Sequence, residues 1–354
     1  MEDRDILESL NRAMLRQGWI FGDKANRIGH PFDWIDGERV SYWNKVQGVQ
    51  ALLQYVAMAY EQYPTPAQFK TPDYDEMLAH CEDTVTKLIK HYLPFPVRKE
   101  WGLDNFIKSA AVIRTQDYAF IKTFAGDLAA TINHLDIGPG VGSHAIYSLK
   151  GFSSNYYAVE ASPHSYCIQR LMFRFLSPLP GSYLDTIECE NFGLNEGAIV
   201  AELNNKNQYR IKHVPSWLFP LVSTESIDLV TATWVLNEVS FAGILWLMAN
   251  ASRALRQGGY VYIRDSGKLK PGRHSISYDN LLTDIGFEEI ERLKITKNRL
   301  DYYGVPRLYQ KKTGQSYSFE ELVERFLGKF AVVSHGGSYI QNMDEVSARE
   351  KVSA

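Results

Sequence analysis

Cysteine is scarce: Cys81, Cys167 and Cys189 are the only three in 354 residues. Their scatter offers neither a disulfide framework nor a zinc-ligand spacing, and it suits a reducing cytoplasm. Excess charge of either sign is lacking too. Lys and Arg number 38 against 41 Asp and Glu, a formal net charge of −3, and no basic block stands out. Nucleic acid or an anionic membrane surface therefore finds no electrostatic footprint. No apolar run reaches transmembrane length. The first residues, Met1-Glu2-Asp3-Arg4-Asp5, lack the basic and apolar regions of a secretion signal. There is no internal repeat. The hydrophobic content of 45% is ordinary for a globular chain and allows a sizeable core. The composition points to a cytoplasmic protein acting on a small or neutral partner, with no membrane insertion.

The stretch His134-Leu135-Asp136-Ile137-Gly138-Pro139-Gly140-Val141-Gly142-Ser143 reads as a buried strand, a glycine-rich turn and a helix start. Glycines at 138, 140 and 142 let the backbone turn sharply and approach a ligand where a Cβ would clash. No Gly-Lys-Ser/Thr follows, so this is not a P-loop, and the dinucleotide spacing G-x-G-x-x-G is absent. Asp136, just before the turn, disfavours a pyrophosphate and suits a cationic amino-acid ligand. A second strand, Asn155-Tyr156-Tyr157-Ala158-Val159-Glu160, ends in an acid suited to the two hydroxyls of a ribose.

Residues 1–110 read as a helical front segment, a cap or oligomerisation element, with a Gly/Asp/Pro-rich loop over 22–38. Helical patterns follow up to Pro64 and over Asp75–Leu93. Residues 111–312 alternate strand and helix, which implies a parallel sheet covered on both faces. Strand one is His134–Ile137, strand two Tyr156–Val159. Strand three is Thr186–Cys189 or Tyr209–Val214, the latter favoured, which leaves an insertion near 180–207. Strand four is Ile227–Ala232. The helix after it is expected to stop at Gly258-Gly259, before strand five, Tyr260–Asp265. A helix over Tyr278–Ile285 and two closing strands, near Glu289–Ile295 and Arg307–Lys311, complete the unit. Residues 313–354 contain a capping box at Ser318-Phe319-Glu320-Glu321, a helix and a polar tail.

These pieces, in this order, resemble the class I S-adenosylmethionine-dependent methyltransferases. Asp136–Gly142 is similar to their motif I, and Glu160 to their ribose acid. Ser226-Ile227-Asp228-Leu229-Val230 resembles their fourth strand. Leu255-Arg256-Gln257-Gly258-Gly259-Tyr260 resembles the L-x-P-G-G turn, with Gln257 in place of proline. The resemblance covers about half the chain. It implies a Rossmann-like α/β fold with a seven-stranded, mostly parallel sheet, here behind an N-terminal helical region. It implies that Gly138, Gly140 and Gly142 pass under the methionine part of the donor and that Asp136 contacts its amino group, directly or through water. Glu160 holds the ribose, Ser216 and Trp217 flank the adenine, and Thr233 and Trp234 approach the methionine. For both tryptophans a core or interface aromatic is the plainer alternative. Arg114 reaches the donor carboxylate or is a solvated helix-face arginine. His144 lines the site or faces away on its helix.

The Asn/Asp-Pro-Pro-Tyr/Phe motif of amino-methylating enzymes is missing after strand four. The segment there, Thr233-Trp234-Val235-Leu236-Asn237-Glu238, and the long helical lead resemble bacterial sugar O-methyltransferases. That resemblance implies a small-molecule or glycan acceptor; the front segment, as an oligomerisation element, would make a homo-oligomer. A sugar hydroxyl needs its proton removed, so a general base is expected. Glu238 is the first candidate, Asp265 the second, and His274, in the loop over 268–277, the third. Asn237, Glu238 and Asp265 are also hard oxygen donors for Mg²⁺, a less favoured alternative since no spacing enforces it, and no metal site is assigned. Three other readings stay open: N- or C-methylation of a small metabolite, donor binding without catalysis, and a dinucleotide oxidoreductase.

Overall fold

In the computed structural model, residues 70–92, 103–126, 128, 131–161, 163–179, 181–191, 194–205, 207–236, 241–265, 278–293, 304–327, 330–334 and 338–342 are described. Strand one of the sequence reading, β1 (Asn133–Ile137), lies at the centre of a sheet and is buried at every position. It pairs in parallel with β2 (Asn155–Glu160) on one side and with β5 (Ile227–Thr233) on the other. Beyond β2 lie β4 (Ile211–Pro215) and the short edge strand β3 (Tyr183–Asp185), both parallel. Beyond β5 comes β6 (Leu255–Asp265), parallel, then β8 (Val305–Lys311) and β7 (Phe287–Arg292), antiparallel. The order β3-β4-β2-β1-β5-β6-β8-β7 is that of a Rossmann-like doubly wound sheet closed by an antiparallel hairpin, the class I methyltransferase fold. The chain reverses direction across the sheet at β1, so the carboxyl ends of β1, β2, β4 and β5 border one crevice.

Strand periodicity divides the core. Leu135 and Ile137 of β1 face one layer, with Tyr157, Val159, Val230 and Ile263. Helices α7 (Phe241–Ala254), α8 (Tyr278–Asp284) and α9 (Phe319–Leu327) add Ile244, Met248, Leu281 and Leu322 there. The opposite face takes Tyr156, Ala158, Leu229 and Tyr262. It is covered by α1 (Tyr74–Tyr92), α2 (Leu103–Phe124), α3 (His144–Gly151) and α4 (Pro163–Leu176), through residues such as Val85, Ile121, Ile146 and Phe173. Each such buried aliphatic or aromatic side chain contributes about 1.5–3 kcal/mol.

Several expectations are corrected. The sheet has eight strands, not seven. The extra one is β3, three residues inside the expected insertion, too short for a periodic signal. Thr186–Cys189 lies in a helix, α5 (Thr186–Asn191), so the favoured Tyr209–Val214 supplies the strand, as β4. The rest of the insertion forms α6 (Glu196–Asn204). Helix α7 ends at Ala254, before the glycines. The Lys311 ammonium donates to the carbonyls of Ser252 and Leu255 at 2.7 and 2.9 Å, which serves the orphan acceptors of that helix end. Gly258, at φ +77°, lies instead where the β5–β6 register shifts. The boundary expected at residue 110 falls inside α2. After α9, whose capping box forms as expected (Glu321 N–H to Ser318 Oγ, 3.1 Å; Ser318 N–H to Glu321 Oε2, 2.7 Å), the chain makes a hairpin of β9 (Phe330–Ser334) and β10 (Ser338–Asn342) rather than a plain tail. The helical pattern before Pro64, the loop over 22–38 and the last twelve residues lie outside the described residues. Among the described residues no helix is long and apolar enough to cross a membrane.

Candidate functional site

The glycine turn has the backbone its composition requires. Gly138, Gly140 and Gly142 have φ of +59°, +62° and +78°. These angles place an L side chain against its own backbone. The Gly138 N–H donates to Val159 O at 2.8 Å, which fastens the turn to the end of β2. A Cβ on Gly138 would lie 2.0 Å from Val235 Cγ2. Gly138→Ala is therefore expected to destabilise the fold by about 2 kcal/mol, from left-handed strain plus the clash. Urea denaturation checks this, and an unchanged midpoint would contradict the turn geometry.

Glu160 ends β2, almost wholly buried. Its Oε1 accepts from the Ala161 N–H at 2.8 Å and its Oε2 from Gln169 Nε2 at 2.6 Å. The same Gln169 nitrogen donates to Gly140 O at 2.8 Å. One side chain of α4 thus ties the acid to the glycine turn. At the end of β4, Ser216 and Trp217 open a 3-10 helix (Ser216–Leu221). Ser216 Oγ and Trp217 Nε1 are buried without a hydrogen-bond partner among the described residues. An unpaired buried donor costs roughly 1–3 kcal/mol, so a polar ligand edge is a natural complement. Trp217 also packs against Tyr166, Cys167 and Ile187, so the plainer alternative for it is partly met. Thr233 ends β5 and Trp234 follows it, both half-buried. Trp234 has φ +58°, a true outlier for an aromatic residue, and its N–H donates to Arg264 O at 2.9 Å. Such strain, on the order of 1–3 kcal/mol, concentrates at functional sites.

Asp136 does not reach into the crevice as a bare carboxylate. It lies on the face of β1 opposite Leu135 and Ile137, fully buried. It accepts from Tyr156 Oη at 2.6 Å and Thr231 Oγ1 at 2.7 Å, with His144 Nδ1 at 2.8 Å. Burial alone raises its pKa, but the His144 imidazole and these hydrogen bonds hold it below the usual carboxylate range. Protein groups occupy the contacts expected for a ligand ammonium, and Asp136 anchors the turn from beneath. His144 is likewise no surface residue: its Nε2 lies 3.2 Å from Asp117 Oδ2 and 3.1 Å from the Arg114 guanidinium. Arg114 is not solvated either, since its Nε donates to Ser143 Oγ, inside the turn, at 2.7 Å.

The sequence reading missed the group behind this face. Asp117 of α2 is fully buried and accepts from Arg264 Nε at 2.7 Å and Tyr262 Oη at 2.6 Å. Burial pushes its pKa up, yet Arg264, then His144 and Arg114, hold it far below the ordinary value. His134 completes a relay. The Thr231 hydroxyl gives its proton to Asp136, so it accepts from His134 Nε2 at 2.8 Å, and His134 Nδ1 accepts from Ser148 Oγ at 2.6 Å. His134 is thereby neutral, its pKa lowered to about 3, chiefly by burial. The signal was available: His134 and Asp136 flank Leu135, Tyr262 and Arg264 flank Ile263, and Thr231 lies between Val230 and Ala232, so polar side chains alternate with apolar ones and share a face.

Burial of neutral His134, and of His213 with its pKa also lowered by burial, has a pH consequence. Unfolded imidazoles take up protons near pH ~6.5, whereas these do so only at more acidic pH, so stability is lost as pH falls below that value. Each buried imidazole contributes a slope of about 1.4 kcal/mol per pH unit. The denaturation midpoint should therefore drop between pH 7.5 and 5.5, and a flat profile would mean that these histidines are not held neutral.

Of the base candidates, Asp265 ends β6, fully buried, opposite Val305 and next to Arg264, the β-partner of Thr233. Asn237, Glu238 and His274 lie outside the described residues. No group of His, Cys, Asp or Glu suited to a metal ion occurs among the described residues.

No protein-family model and no curated protein matches the chain. Among solved structures, it is similar to geranyl diphosphate C-methyltransferase from Streptomyces coelicolor, a complex with Mg²⁺, geranyl diphosphate and S-adenosyl-L-homocysteine. Identity is 12%, the TM-score 0.39, and the match covers 68% of this chain and 98% of that one. Phosphoethanolamine N-methyltransferase 1 from Haemonchus contortus, with phosphoethanolamine and S-adenosylhomocysteine bound, is 14% identical at a TM-score of 0.34. That match covers 61% of this chain and spans 53%, about half, of the enzyme's length. Likenesses of this size carry nothing about substrate.

Proposed function

We propose that the protein is an S-adenosylmethionine-dependent methyltransferase. The observation that carries this reading is the Gln169 bridge, which holds a buried acid at the end of β2 beside a left-handed glycine turn at the end of β1. In this reading Glu160 takes the ribose hydroxyls, and the unpaired Ser216 Oγ and Trp217 Nε1 meet the adenine edge. The turn of Gly138, Gly140 and Gly142 passes under the methionine portion, which Thr233 and Trp234 flank. The bound donor supplies a methyl group on a sulfonium, and the protein's task is to align an acceptor with it and exclude water. The acceptor in this proposal is a hydroxyl of a sugar or glycan, in keeping with the near-neutral charge. Glu238 takes its proton, with Asp265 and His274 as the other candidates.

Calorimetry with S-adenosylmethionine, S-adenosylhomocysteine and NAD tests the first step. Uptake of the first two and not the third is expected, and uptake of NAD alone would replace the reading with a dinucleotide oxidoreductase. Transfer of labelled methyl to a panel of sugars, amines and carbon acceptors tests the second. In an active preparation, Glu238→Ala should retain donor binding and lose transfer by about 10²–10⁴-fold. Donor binding with no transfer to any acceptor favours a non-catalytic binding protein, and transfer confined to amines or carbon acceptors removes the O-methylation proposal.

A further inference from the structure

We infer that the added edge strand sets the orientation of the ribose acid, with Tyr183 acting through His213 to fix Gln169. The inference rests on the ribose role of Glu160 proposed above. Its basis is donor-acceptor logic. Gln169 meets two groups that only accept, the Gly140 carbonyl at 2.8 Å and the Glu160 carboxylate at 2.6 Å, so its NH₂ end must face them. Its Oε1 then faces His213 Nε2 at 2.9 Å, and that nitrogen must carry a hydrogen. His213 is fully buried, with Tyr166 stacked on it at 3.5 Å and 10° and Phe173 edge-on at 4.9 Å. A neutral ring protonated on Nε2 needs a donor at Nδ1, and Tyr183 Oη supplies it at 3.0 Å. Tyr183 Oη also lies 3.4 Å from Asp185 Oδ2, a longer contact than the 3.0 Å to His213 Nδ1, so its single hydrogen goes to the imidazole.

Tyr183 belongs to β3, the strand inside the insertion, and His213 to β4. Their role is positioning, since neither touches the proposed ligand. Without the Tyr183 hydroxyl the Nδ1-protonated tautomer becomes accessible. Its bare Nε2 then repels Gln169 Oε1 and favours the flipped amide. The flip brings the amide oxygen against the Glu160 carboxylate, a repulsive pair that swings the acid away from its place.

The test compares two probes on the full chain, S-adenosylhomocysteine and its 2′,3′-dideoxyribose analogue. Tyr183→Phe keeps the ring and removes only the hydroxyl. It should weaken the ribose probe about tenfold, the loss expected when one hydrogen-bond partner is removed and another group is left unsatisfied. The dideoxy probe, which makes no bonds to Glu160, should change less than about twofold. His213→Phe should behave likewise, and His213→Gln, which retains a donor toward Gln169, should recover most of the ribose affinity. Nitrogen-15 shifts should report the Nε2-protonated tautomer of His213 in the wild type and a mixture in Tyr183→Phe. Equal losses for both probes, no loss for either, or an Nδ1-protonated wild type would each overturn the inference while leaving donor binding intact. A wild type that binds neither probe removes the ribose role itself, and this inference with it.

Discussion

Asp117→Ala is expected to destabilise the protein by about 3–5 kcal/mol, a large part of the roughly 5–15 kcal/mol that holds a typical domain folded. The cause lies in what the substitution leaves behind. Arg264 is 1% exposed, and its Nε finds Asp117 at 2.7 Å. Removing the carboxylate takes its ion pair from a buried guanidinium and one acceptor from Tyr262, and it loosens His144. Asp117→Asn keeps the shape and some of the hydrogen bonds but loses the charge, so its cost should be smaller and still clear. The sign of the pH dependence follows from the lowered pKa of Asp117. A depressed carboxylate stabilises the fold above its unfolded pKa, near ~3.9, and that contribution is lost as pH falls below it. The penalty of Asp117→Ala relative to wild type should therefore shrink in acid. Urea denaturation at pH 7.5 measures the main effect, and a loss below about 1 kcal/mol would mean that the cluster is solvated. The damage should also reach the crevice, because Arg264 O accepts from the strained Trp234 N–H and His144 supports Asp136.

The parts of this molecule legible in its sequence are those that local chemistry dictates. Three alternate glycines allowed one backbone, and all three took positive φ. The buried strand before the glycine turn and the largely apolar run of β5 marked two of the sheet's strands. The Ser318–Glu321 box closed reciprocally because both donors it serves are neighbours in the chain. Elements whose cause lies far along the chain were not legible. The end of α7 depends on Lys311, fifty-nine residues past Ser252, rather than on the nearby glycines. β3 is too short to carry a period and exists through its register with β4. Asp117 looked like one acid on an ordinary helix, and its partner Arg264 is 147 residues away. Gln169 carried no motif, although the whole acid–turn link depends on it. Asp136 was read as a ligand contact from its place before the turn. Side-chain alternation along β1 instead puts it on the face with His134, where Tyr156, Thr231 and His144 meet it.

Glu160→Ala separates binding from folding more sharply than any other single change. A hydrogen bond to a charged group contributes roughly 1.5–3 kcal/mol, and a ribose offers two hydroxyls to one carboxylate. The loss of both should weaken S-adenosylhomocysteine by about 10²–10⁴-fold, read by calorimetry. Stability should respond little. The substitution removes a buried carboxylate, whose desolvation opposes folding, and orphans the Ala161 N–H and one hydrogen of Gln169 Nε2. These terms oppose one another, and Gln169 keeps its bond to Gly140 O, so the glycine turn stays tied to α4. Glu160→Gln sharpens the test. An amide can accept from one hydroxyl but presents its NH₂ toward the Gln169 nitrogen or the second hydroxyl, so binding should fall between wild type and alanine. If Glu160→Ala binds the nucleoside as tightly as wild type, the acid at the end of β2 is a structural carboxylate and the crevice serves another ligand. If it loses binding while the melting temperature holds, the ribose role stands on a measurement that folding defects cannot imitate.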